Sequence, residues 1–210
     1  MIRQGFATFA AFALGTCLCA PVLAADITTI AEQCAACHGK NGVSTESSIP
    51  IIAGYSSKYL VESLKNFKKK VRTCAEVSIP SGPKKGTKSD MCKVVADLPE
   101  GDFEAISKHF AAQKFVRAKQ PFDAAKAQKG VPVYKLRCEK CHENNGASPD
   151  EDNGILAGQW TPYLREQLAG FRAGKRPLDD KMKQRLDKVT REEEELLLHF
   201  HSFYIQCLVP

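Results

Sequence analysis

The sequence predicts an all-α protein made of two related helical units in tandem, and two observations carry that expectation. The pattern C-x-x-C-H occurs twice, as Cys34-Ala35-Ala36-Cys37-His38 and Cys138-Glu139-Lys140-Cys141-His142, at an offset of 104 residues. At the same offset Gly42 matches Gly146, Ala53-Gly54 matches Ala157-Gly158, Tyr59-Leu60 matches Tyr163-Leu164, Leu64 matches Leu168 and Phe67 matches Phe171. A run of matches without a gap marks an internal duplication.

The first residues read as an export signal rather than as fold. Arg3 gives a positive start, Phe6 to Leu23 is apolar, and Val22-Leu23-Ala24 fits a signal-peptidase site with cleavage after Ala24. A retained anchor or a lipobox at Leu14-Gly15-Thr16-Cys17 fits less well. No later segment is apolar enough to span a bilayer. The expected organisation is therefore a signal peptide at 1–24, a first domain at 25–114, a linker at 115–130 and a second domain at 131–210. The formal charge of +6 drops by one with Arg3. A mildly basic balance gives no argument for nucleic acid and is compatible with a docking face or with a plain solvated surface.

Each unit reads in the same order. Short helices at 27–36 and 132–140 run into the motifs. Polar, turn-rich loops follow at 39–51 and 143–154. Tyr59, Leu60, Leu64 and Phe67, and then Tyr163, Leu164, Leu168 and Phe171, have helical spacing within 57–70 and 162–172. Closing helices are expected at 101–113 and 190–204. Thr190 with Glu193 forms a capping box, and the acidic run Glu192 to Glu195 suits a helix N-terminus better than a metal site.

The two thiols of C-x-x-C lie one turn apart, so both can form thioethers with the vinyl groups of one porphyrin. The histidine that follows then offers an imidazole to the iron, the pattern of covalent c-type haem attachment. Zinc would need a fourth ligand that neither motif offers. A thioredoxin-like dithiol would need a βαβ setting. Cys34, Cys37, Cys138 and Cys141 are thus expected to carry two covalently bound haem c groups, with His38 and His142 as axial ligands. After the initiator only Met91 and Met182 remain, one per unit, each in a charged stretch where a core gap-filler is out of place. They are the expected sixth ligands; His109, His199 and His201 on the closing helices are the competitors, with His109 and His199 in matching places before Phe110 and Phe200. Six-coordinate irons would relay electrons rather than perform chemistry, so no catalytic residue is expected.

Met91 lies 57 residues after Cys34, but Met182 only 44 after Cys138, so the first unit carries a 13-residue insertion before its methionine. The stretch Arg72 to Asp90 is rich in Pro, Gly, Ser and Lys and is bracketed by Cys74 and Cys92. In an oxidising compartment these two can close it as a disulfide; free thiols are the alternative. Cys207 is left over, either buried or paired between chains.

With these residues in place, the chain resembles the dihaem cytochrome c4 family over essentially its whole mature length. Its second half is closer still to the cytochrome subunit of flavocytochrome c sulfide dehydrogenase. The carrying stretches are Ala118-Lys119-Gln120-Pro121-Phe122-Asp123, the second motif, Ile155 to Leu164 with Gln159-Trp160-Thr161-Pro162-Tyr163, and Lys181-Met182. The resemblance implies two class I cytochrome c domains related by a pseudo-twofold, with His/Met ligation at both irons. It also implies a loop carbonyl that fixes each proximal imidazole, from Pro50 in the first unit and Gly154 in the second. Trp160, Tyr59 and Tyr163 are candidates for the haem edge or propionates, with core packing as the alternative.

The implied role is a periplasmic electron-transfer subunit. It would accept single electrons from an FAD-containing, sulfide-oxidising flavoprotein in a heterodimer and pass them to a cytochrome or oxidase. A free-standing carrier of the same family is the second reading; it would serve an oxidase or another sulfur enzyme such as a thiosulfate dehydrogenase. A haem enzyme with an open iron site is a third, which the paired methionines disfavour.

Overall fold

A computed structural model describes residues 26–203. The expected signal peptide and Cys207 lie outside these residues.

The first unit begins with α1 (Ile27–His38), capped by the Asp26 carboxylate at the Thr28 amide and closed by Gly39 at φ 76°. A 3-10 turn at Lys40–Gly42 follows, then α2 (Ser57–Lys68), whose Ser56 hydroxyl accepts from the Tyr59 amide at 3.0 Å. Next comes an antiparallel hairpin, β1 (Val77–Ser78) and β2 (Lys88–Ser89), paired Val77 to Ser89 and Ser78 to Lys88. Helices α3 (Met91–Ala96) and α4 (Phe103–Ala111) complete the unit. The second unit repeats the helices as α5 (Ala124–Arg137), a short turn α6 (Glu143–Gly146), α7 (Thr161–Arg172), α8 (Asp180–Leu186) and α9 (Arg191–Phe203). The Thr190 and Glu193 capping box at α9 is present, with reciprocal bonds of 2.8 and 3.1 Å.

The duplication is visible in the backbone itself. Asn41 and Asn145 both take left-handed φ, 56° and 59°, and the matched pairs Gly42/Gly146 and Gly54/Gly158 are likewise positive. Asparagine and glycine are the residues that tolerate this region, so one loop shape was specified twice.

Helix α5 differs from the expected 132–140. It starts eight residues earlier, where the Asp123 carboxylate accepts from the Lys126 amide at 3.0 Å, and ends at Arg137, so the second motif forms a turn. Gly130-Val131-Pro132 looks like a helix start, but the glycine has another use. A Cβ at Gly130 would lie 2.5 Å from the Leu196 carbonyl oxygen, so its absence lets α5 and α9 cross closely. Pro132 is carried inside the helix.

The closing helices match one residue away from the expected pairing of His109 with His199 and Phe110 with Phe200. The Gly54 amide donates to the Phe110 carbonyl, and the Gly158 amide to that of His201, both at 2.9 Å. Phe110 is therefore equivalent to His201. The offset falls from 104 to 91 across the insertion, which also pairs Met91 with Met182 and buried Val95 with buried Leu186.

The cores follow this frame. Ile30, Tyr55, Leu60, Ile106 and Phe110 pack in the first unit, joined by Ile155 from the second. Val133, Tyr134, Val189, Leu197 and Phe200 pack in the second. The acidic run is structural: Glu194 is buried against Arg172 at 2.8 Å, and Glu195 pairs with Arg165. No described helix is long and apolar enough to cross a membrane.

Candidate functional site

In the first unit, α1 carries Cys34, Cys37 and His38 on successive turns into a crevice. The same crevice is lined by Pro50, by Met91 at the start of α3, and by Tyr163 from the other unit. The Asp90 carboxylate accepts from the Lys93 amide at 2.9 Å and so sets the start of α3, where Met91 stands. His38 is buried, and burial pushes its pKa below the ordinary value, with the Pro50 carbonyl opposing. Its Nδ1 lies 2.9 Å from that carbonyl. A carbonyl only accepts, so Nδ1 holds the proton and Nε2 keeps a lone pair for a metal.

None of the four motif cysteines forms a disulfide. Burial lifts the Cys34 thiol to about 11 and the Cys138 thiol to about 12. Cys74 and Cys92 are joined as a disulfide that closes the insertion. The Asp90 carboxylate lies close to both sulfurs, but with the sulfurs bonded and the carboxylate capping α3, this cluster is not a metal site.

The second unit is less tightly held. The Cys138 to His142 turn is anchored by the Tyr134 hydroxyl, which donates to the His142 carbonyl. The Asn153 amide donates to the Cys141 carbonyl at 2.6 Å. Burial pushes the His142 pKa below the ordinary value, with the Gly154 carbonyl opposing, yet His142 Nδ1 is buried without a hydrogen-bond partner, as is Arg137 Nε. Met182 is half-buried on α8, whose start is fixed by Asp179 accepting from the Lys181 and Met182 amides. Of the other histidines, His109 stands edge-on to Phe110 and His199 accepts from the Asp123 amide at 3.1 Å. His201 is buried beside Tyr134, and burial pushes its pKa down to about 3.

The aromatic candidates meet at the junction between the units. Trp160 Nε1 donates to the Ser44 carbonyl at 3.2 Å. Arg72 donates to the Tyr163 hydroxyl at 3.0 Å, and Arg176 to the Tyr59 hydroxyl at 2.9 Å. Each guanidinium also stacks on the phenylalanine of its own unit, Arg72 on Phe67 at 4.4 Å and Arg176 on Phe171 at 4.3 Å. All three pairs are repeat equivalents, so the junction has pseudo-twofold symmetry. On its axis the Tyr55 hydroxyl donates to the Ile155 carbonyl, while the Gln159 amide donates to the Ile51 carbonyl and to Tyr55, all at 2.9 Å. The sequence marks Arg72 only as the edge of the insertion and Gln159 only as part of a family-like run, and it gives Arg176 and Tyr55 no role, although Arg72 with Arg176 and Tyr55 with Gln159 stand at the 104-residue offset.

Two symmetry-related helical units, each bearing a C-x-x-C-H motif, define a dihaem c-type cytochrome. The residues fit that cofactor: none of the motif cysteines is tied up in a disulfide, Cys34, Cys37 and His38 share one crevice with Met91, and the His38 imidazole is held in the coordinating tautomer. No protein-family model matches the chain. It is 32% identical over 191 residues to cytochrome c4 of Stutzerimonas stutzeri, spanning 83% of this chain and 84% of that one. The crystal structure of reduced recombinant cytochrome c4 from Pseudomonas stutzeri superposes with a TM-score of 0.64 at 27% identity, over 84% of this chain and 97% of that one. A third relative, the thiosulfate dehydrogenase electron acceptor of Thiomonas intermedia (strain K12), is 26% identical over 163 residues, 71% of this chain and 67% of that one. The chain belongs to the cytochrome c4 family, and its cofactors are two covalently bound haem c groups.

Proposed function

We propose that Cys34 and Cys37 hold one haem and Cys138 and Cys141 the other, with His38 and Met91, and His142 and Met182, as the axial ligand pairs. The observation that carries this is the crevice of the first unit, where Cys34, Cys37 and His38 of α1 meet Met91 of α3. When bound, the haems supply one-electron chemistry between ferric and ferrous iron. The chain does the rest: the Pro50 carbonyl orients the imidazole, apolar walls exclude water, and the Arg72 and Arg176 bridges fix the distance between the units. Proteolysis of the native protein followed by mass spectrometry tests the assignment; each motif peptide must carry one haem mass.

The chain is proposed to act in the periplasm as the electron-accepting subunit of a sulfide-oxidising flavoprotein. Support comes from the Ala118 to Asp123 stretch and the Gln159 to Tyr163 run, which resemble the cytochrome subunit of that enzyme. A second reading, acceptor for a thiosulfate dehydrogenase, is favoured by the likeness to the Thiomonas protein. Purification from the native source with pigment analysis separates them. A partner carrying flavin supports the first and rules against the second. A haem-bearing, flavin-free partner that oxidises thiosulfate does the reverse.

A further inference from the structure

The insertion between Arg72 and Met91 is placed on the first motif. Eighteen residues, 73–90, separate Arg72 from Met91, whereas five, 177–181, separate the equivalent Arg176 from Met182. The disulfide ties the base of the insertion to α3, and Cys74, Val77 and Ser89 wall the crevice. The hairpin continues past β1 and β2, with the Ile79 amide donating to the Thr87 carbonyl at 2.8 Å. Its tip then turns back onto α1. The Ser81 amide and hydroxyl both donate to the Ala36 carbonyl, at 3.2 and 3.0 Å, and a Cβ on Gly82 would lie 3.5 Å from the Ala36 side chain. Ala36 is the residue between the two cysteines. Its equivalent, Lys140, and the neighbouring Cys141 are exposed.

We propose that the hairpin tip, through Ser81 and Gly82, is a steric cover over the first motif, so that outside redox partners exchange electrons with the chain at the second motif. The inference rests on the haem assignment above. The cover sets which end of the relay faces a partner. It is confined to the first unit because only that unit has chain enough to reach its own motif.

The test shortens the tip without disturbing its base. Replacing Pro80–Gly86 with Asn-Gly leaves Ile79 and Thr87 paired across a two-residue turn of a type that suits a hairpin. Ser81→Pro is the milder companion, removing both donors to Ala36 while keeping every charge. The first measurement needs no electron transfer: broadening of the Ala36 methyl resonance by a soluble gadolinium chelate. The methyl is expected to be protected in the parent and exposed in both variants. The second is stopped-flow reduction by hexaammineruthenium(II), which gives one electron to each iron and leaves as the ruthenium(III) ion. It is run at about 0.5 M salt so that loss of Lys84 and Lys85 is screened. One of two kinetic phases is expected to accelerate by roughly tenfold on uncovering, with the other unchanged, as relief of an access constraint predicts. Two haem masses together with an unprotected parent Ala36, or with unaltered rates in both variants, overturns the cover. Fewer than two haem masses overturns the haem assignment, and the cover with it.

Discussion

Arg72 reaches across the junction to donate to the Tyr163 hydroxyl at 3.0 Å, and its repeat equivalent Arg176 returns the same bond to Tyr59. Arg72 is 7% exposed and also donates to Gln167 at 2.8 Å. Arg72→Met keeps the stack on Phe67 in part but leaves Tyr163 without its donor. A loss of about 1–3 kcal/mol in denaturant unfolding is expected. Tyr163→Phe, which deletes the acceptor, should give a similar loss because it leaves a buried guanidinium N–H short of a partner. Near-additivity of the two in the double variant would show that the bond is not shared.

Gly130 sits where α5 and α9 touch, with the Leu196 carbonyl 2.5 Å and the Phe200 Cβ 2.8 Å from any added methyl. Neither backbone nor a fully buried side chain can yield cheaply, so Gly130→Ala should cost about 1–3 kcal/mol. Gly101→Ala meets nothing within 4 Å and serves as the control. A thermal melt comparing the two checks the crossing.

Met91→Ala and Met182→Ala should each alter one haem. The expected signs are loss of half the methionine–iron charge-transfer absorption and a lowered potential at one centre, with the other nearly unchanged. Visible spectra and a redox titration of the two proteins settle the ligand assignment. Spectra untouched by either substitution would exclude both methionines.

The Cys74–Cys92 bridge closes a loop with a sequence separation of 18. Replacing both cysteines with serine should cost about 3 kcal/mol by loop entropy alone. Chemical denaturation of the oxidised parent and the double variant gives the figure directly.

Asp152 accepts from Lys58 at 2.7 Å and from Ser56 at 2.8 Å across the junction. The Lys58 bond first, then that of Ser56, holds its carboxyl below the ordinary 3.8. A carboxyl lowered in the folded state binds its proton less readily than in the unfolded chain. Its contribution is therefore fully present above that ordinary value and fades as pH falls through the lowered one. Asp152→Asn should flatten the stability profile in this acid window alone, as a series of melts from pH 6 to pH 2.5 would reveal.

The repeat made the helical order and the two motifs legible, because a duplicated cofactor pattern fixes what surrounds it. The capping box at Thr190 and the bracketed insertion were readable for the same local reason. Gly130 and Pro132 misled because local helix propensity argues for a break, while the requirement for close approach between α5 and α9 is a tertiary matter. The register of the closing helices was missed by one residue because His109-Phe110 and His199-Phe200 look alike; only the bonds from Gly54 and Gly158 distinguish them. Arg72 and Arg176 gave no local signal, since an arginine in a polar stretch after a helix usually faces solvent. Their repeat spacing was the clue, and it points to a shared partner only once both units are placed together.

The axis of the junction has a consequence for how such a chain can be built. Where the two units meet at their own equivalent position, one supplies a phenol and the other a carboxamide, Tyr55 and Gln159, locked 2.9 Å apart. Two phenols there would crowd one another, and two carboxamides would forfeit the aromatic packing of Tyr55 on Tyr59. The halves have become lock and key rather than copies. A chain assembled from two first halves, or two second halves, should fail to mate at its seam even with every motif intact.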